Sequence, residues 1–163
     1  VSLAQAVRRA GFEPLVPDAL GAPDAVSVAG GPRGRFVVSL CWRERGGTVR
    51  VDEFAAGLDL TFAKIGRERP EWISLGGSAV AGSQDTALWF PRPHLLSFWL
   101  LDADGKRYTR QERTSGPTLL WSRPVGSAEV TLRLEGVASK GRAVEIAKSA
   151  TSPVAKHSGA SSD

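Results

Sequence analysis

The chain has 163 residues, 42% of them hydrophobic, and a formal net charge of +4 from 21 basic and 17 acidic side chains. That suffices for one well-buried core and is short for two full-sized domains. The single cysteine, Cys41, excludes an intrachain disulfide and a cysteine metal cluster, and the scattered basic residues (Arg8-Arg9, Arg43 and Arg45, Arg67 and Arg69, Arg107 and Arg110) read as solvated surface, not as a nucleic-acid footprint.

Ser2-Leu-Ala-Gln5 is a capping-box pattern, and Leu3, Ala6, Val7 and Ala10 follow as one helical stripe. Gly11 suits the left-handed position past a helix end, with Phe12 as the apolar contact behind it. Pro14, Pro17 and Pro23 then impose an extended, turn-rich segment, because proline fixes φ and has no N–H for a central strand. Leu15, Val16 and Leu20 are its expected anchors. From Ala25 the period becomes two. Gly30-Gly-Pro-Arg-Gly34 reads as a hairpin turn; it lacks the spacing and the lysine of a phosphate loop. Phe36, Val38, Leu40 and Trp42 alternate with Val37, Ser39 and Cys41, and Gly46-Gly47 turns the chain into Thr48–Phe54. There Val49 and Val51 face one way and Arg50 and Asp52 the other, so the two runs form a hairpin. Leu58 to Ile65 fits either a helical turn or a short strand.

Strands are expected at Trp72–Leu75 and Thr86–Phe90, with Gly76-Gly77 and Gly82 between them. Leu95–Leu101 is apolar on both faces and predicts a central, fully buried strand. Asp102-Ala-Asp-Gly105 is a hairpin turn into Lys106–Arg113, whose polar side chains suit an edge. Leu119 and Trp121 alternate with Thr118, Leu120 and Ser122; Val130, Leu132 and Leu134 alternate with polar neighbours, and Gly136 closes the second run. Ser139 then caps a helix with Ala143, Ile146, Ala147 and Ala150 on one face. Residues 151–163 are Ser-, Ala- and Gly-rich without an apolar period and are expected to form a disordered tail. The pattern predicts one α+β domain over residues 1–150. Its expected form is a mostly antiparallel, curved sheet of about eight or nine strands with an N-terminal and a C-terminal helix.

Catalytic and metal chemistry are not implied. His94 stands between a proline and an apolar strand with no nucleophile elbow to serve; Gly76-Gly-Ser78 is not followed by the required glycine. His157 falls in the expected tail. One cysteine and two distant histidines make no zinc site. Asp102 and Asp104 resemble part of a calcium loop, but Lys106-Arg107 follows where more oxygen ligands are needed. Asp52 and Glu53 are adjacent on a strand, so they point to opposite faces and do not form an acid–base pair. No cofactor is expected. Five tryptophans (Trp42, Trp72, Trp89, Trp99, Trp121) fall on expected strands, where core packing is the ordinary role. A sharper expectation is that Trp89, Trp99 and Trp121 line a sheet face that takes an apolar ligand or a partner's segment.

Several ordered pieces resemble a poorly characterised extracytoplasmic domain of Gram-positive, high-GC bacteria, found in membrane-anchored proteins linked to sigma-factor regulation. They are Ala10-Gly-Phe-Glu-Pro-Leu-Val-Pro17 with Leu20–Asp24, Ala87-Leu-Trp89 with Pro93-His94, Gly116–Trp121, and Leu132-Arg-Leu-Glu-Gly136 with Ala143–Ser149. The pattern is more distantly similar to lipoprotein-sorting and sigma-regulatory periplasmic proteins. The resemblance implies a non-enzymatic sensor or protein-interaction domain outside the cytoplasm, tethered through an anchor upstream of Val1. It also implies an unidentified protein partner at the cell envelope; the alternative is a carrier or sensor of a lipid or other apolar ligand. One departure is the stretch Val125–Ala128, Pro/Gly-broken where a tighter hairpin is expected.

Overall fold

The computed structural model describes residues 1–30, 36–58, 69–76, 86–101 and 104–151. The turn residues 31–34, the stretch from 59 to 65, Gly77, Gly82, Asp102, His157 and residues 152–163 lie outside the described residues.

Helix α1 (Leu3–Ala10) begins and ends where local chemistry requires. Ser2 Oγ accepts the Gln5 N–H at 3.1 Å and the Gln5 side chain accepts the Ser2 N–H at 2.8 Å. Gly11 takes φ +78, where a side chain would be strained. The following segment gives β1 (Val16–Pro17) and a 3-10 turn (Asp18–Leu20). Then come β2 (Ala25–Gly30), β3 (Phe36–Glu44), β4 (Gly47–Phe54), β5 (Gly57–Leu58), β6 (Glu71–Ser74), β7 (Thr86–Phe90), β8 (His94–Leu101), β9 (Arg107–Ser115), β10 (Thr118–Val125) and β11 (Ala128–Glu135). Helix α2 (Lys140–Lys148), capped by Ser139, leads into β12 (Ala150–Thr151).

The strands form a seven-stranded sheet in the order β2-β3-β4-β11-β10-β7-β6, a three-stranded sheet β5-β8-β9, and a two-stranded ribbon β1-β12. Every pairing is antiparallel. This is the expected α+β layout with terminal helices, but its strands are divided among three sheets. Leu95–Leu101 is central only within the small sheet. There Leu100 is buried while Trp99 and Leu101 are half-buried, so an apolar run did not mean burial on both faces. No helix among the described residues is long and apolar enough to cross a membrane.

Alternation along the strands gives the large sheet two apolar faces. The inner face carries Val38, Leu40, Val51, Leu132, Leu134, Leu119, Trp121 and Trp89, packed with Ala6, Phe12, Leu15, Val16, Ala143, Ile146 and Ala147 of the helical side. The outer face carries Phe54, Leu88, Phe90 and Leu120, packed with Leu58, Leu100 and Trp99 of the small sheet. The β10–β11 register runs unbroken to Val125↔Ala128 around Gly126-Ser127, so no insertion loosens this hairpin. Pro124 lies beyond the described ladder of β10 with β7, which stops at Trp121, and a missing N–H costs little where no described strand lies alongside. Past β11, Gly136 takes φ +91 against the β3–β4 hairpin, where a Cβ would run into the Thr48 carbonyl.

Candidate interaction surface

Residues opposite one another across an antiparallel ladder share a face, so the register fixes what each face presents. On the outer face Ser39, Asp52 and Arg133 stand in one row across β3, β4 and β11. Cys41, Arg50 and Glu135 form the next row. Ser39 Oγ donates to Asp52 Oδ1 at 2.5 Å, Arg50 Nε to the same oxygen at 2.7 Å, and an Arg133 terminal nitrogen to Asp52 Oδ2 at 2.5 Å. Arg133 also reaches Glu135 at 3.2 Å, and its guanidinium lies 5.7 Å from the centre of the Phe54 ring. Burial alone would raise the Asp52 carboxyl, but the charge of Arg133 and the hydrogen bonds from Ser39, Arg133 and Arg50 outweigh it and hold the group below its ordinary value.

Among the described residues two guanidiniums, Arg50 and Arg133, stand against two carboxylates, Asp52 and Glu135. Both Asp52 oxygens are engaged, which leaves this carboxylate no role as a general base for Ser39. Cys41 is half-buried opposite Arg50. Among the described residues no group of three or more His, Cys, Asp or Glu side chains is placed to hold a metal. His94 opens β8 opposite Ser115.

Glu53 points to the inner face, as alternation after Val49 and Val51 requires. It is 0% exposed among apolar side chains. Its Oε2 accepts the Leu15 N–H at 2.9 Å and its Oε1 finds no protein partner. Burial pushes this carboxyl well above the usual carboxylate range, against the Leu15 hydrogen bond and with a smaller push from the Asp52 charge. In the same row of the sheet, two strands away across Leu132, the buried indole N–H of Trp121 also lacks a protein partner.

The three tryptophans singled out above do not share one surface. Trp89 and Trp121 lie in the inner core and Trp99 packs on the outer one. Trp42 is buried and donates its indole N–H to the Gly21 carbonyl at 3.1 Å. Trp72 differs: it is 52% exposed on β6, the last described strand of the large sheet, opposite Leu88. Its neighbour Glu71 is tied to α2 through Lys140 Nζ at 2.6 Å. The strand period placed Trp72 on a strand, but the edge position that exposes it depends on sheet order.

No family model, curated protein or solved structure matches the chain.

Proposed function

We propose that this chain is a non-enzymatic interaction domain of the cell envelope, displayed outside the cytoplasm beside a membrane anchor, which binds a protein partner at the β6 edge of its large sheet. The observation that carries the reading is Trp72. Much of both faces of the large sheet is covered by the chain itself, with helices on one side and the small sheet on the other. Of the two described end strands, β2 and β6, it is β6 that presents a half-exposed indole, and tryptophan is a preferred interface anchor because it buries a large area with little rotamer loss. The alternative, a carrier of a lipid or other apolar ligand, would require one covering layer to lift from the sheet.

Two measurements test the proposal. A Ser74→Cys variant on a Cys41→Ser background, expressed in intact cells as the full-length protein, should react with a membrane-impermeant maleimide; labelling only after lysis would overturn the extracytoplasmic placement. A photo-crosslinking residue at position 72 should trap one partner that the same residue at exposed Arg45 does not. Equal yields from both sites would remove the β6 edge from consideration. Lipid-sized added mass in native mass spectrometry would favour the carrier.

A further inference from the structure

Residues 12–17 form a strap across the inner face. Phe12, Pro14, Leu15, Val16 and Pro17 are all buried, and the strap is closed at its far end by the β1–β12 ladder and by the Asp18 N–H bonded to the Ser149 carbonyl at 3.0 Å. Beneath it lies Glu53, sealed from solvent, with one oxygen on the Leu15 amide and the other without a protein partner. A carboxylate so placed has lost its water and gained one amide dipole, too little to hold a full negative charge.

We propose that Glu53 is a proton-operated latch: its uncharged carboxyl holds the Phe12–Pro17 strap on the sheet through the Leu15 N–H, and ionisation lifts the strap to let water reach the charge. Among the described residues the surroundings offer no counter-charge. β3 contributes Val38 and Leu40 to this face, β4 contributes Val49 and Val51, and β11 contributes Val130, Leu132 and Leu134. On the strap the titratable group is the half-buried Glu13, another acid. Arg8 and Arg9 of α1 are exposed, as are Lys140, Arg142, Glu145 and Lys148 of α2; Lys140 and Arg142 are engaged by Glu71 and Glu44. Asp52, Arg50 and Arg133 lie on the opposite face of the sheet, where Asp52 adds repulsion.

The direction follows from linkage. The closed strap keeps the proton to a higher pH than the open one does, so closure is complete at low pH and weakens as pH rises toward the value at which Glu53 ionises under the strap. In that window one proton leaves on opening, and the opening constant rises about tenfold per pH unit. The inference stands apart from the proposed function, since it concerns a motion of the chain and no partner.

Hydrogen exchange of the purified full chain against pH tests it, read as protection factors so that the intrinsic base catalysis divides out. The Leu15 amide should lose about tenfold protection per pH unit above the ordinary carboxylate range while the Leu132 amide holds. In Glu53→Gln, which keeps an acceptor for Leu15 but has no charge to gain, Leu15 protection should be flat with pH. Identical profiles in the two proteins, or a loss shared equally by Leu132, would overturn the latch. Carboxyl-carbon NMR of the wild type needs no variant to fold: a Glu53 that stays neutral above the ordinary carboxylate range while Leu15 is protected is expected, and an ionised Glu53 beneath a still-protected Leu15 would overturn the latch equally.

Discussion

Asp52 and Glu53 are neighbours in the chain, both 0% exposed, and they live in opposite electrostatic worlds. Asp52 faces outward into a grid of two arginines and a serine that stabilises its charge. Glu53 faces inward into hydrocarbon with one amide for company. The period of a strand is enough to separate them. Equal burial therefore shifts the two acids in opposite directions, because what decides a buried acid is its partners, not its depth.

The strongest way to break this comparison is to remove Arg133. Arg133→Ala removes a buried counter-charge from the buried Asp52, and should cost about 3–5 kcal/mol in urea unfolding. Asp52→Leu combined with Arg133→Met should recover most of that loss, since a matched apolar pair has no charge to desolvate. If the double variant is as unstable as the single, the grid contributes more than charge pairing. On the inner face, Glu53→Leu strands the Leu15 N–H and should cost about 1–3 kcal/mol, whereas Glu53→Gln should stay within about 1 kcal/mol at low pH.

The pH dependence sharpens the same contrast. The stability contributed by Asp52 is present above the ordinary carboxylate range and is lost as pH falls through its lowered folded value. That contributed by neutral Glu53 is present at low pH and lost as pH rises through its raised one. Asp52→Asn should flatten the acid limb and Glu53→Gln the alkaline limb, each leaving the other intact, as read from unfolding midpoints across pH. Arg50→Ala, at the partly exposed rim of the grid, should cost about 1 kcal/mol or less. The smallest effect belongs to Trp72→Ser, within about 0.5 kcal/mol on stability, because that side chain supports little of either core.

The parts legible in the sequence were those written in local chemistry. The capping box at Ser2 and Gln5, the Gly11 stop, the hairpin around Gly46-Gly47 and the Ser139 cap each specify themselves within a few residues. Alternation even placed Glu53 on the valine side of β4, although its weight there was not evident until Leu15, 38 residues away in sequence, was found above it. Sheet order was not legible. β4 lies beside β11 across most of the chain, so the row Ser39–Asp52–Arg133 exists only after folding. For the same reason the tryptophans read as one set but divide between two cores and an edge. The apolar run in β8 signalled a strand without saying which sheet would claim it.

The β1–β12 ribbon has a mechanical consequence. Val16 pairs with Thr151 and Pro17 with Ala150, two pairs among the described residues. A pull applied at Thr151 would load these two pairs before any ladder of the seven-stranded sheet. The ribbon would yield first, and the strap above Glu53 would be the next element freed, while the seven-stranded sheet, held by ladders of up to eight pairs, stayed closed. Tension on the C-terminal side and a rise in pH would then release the same element.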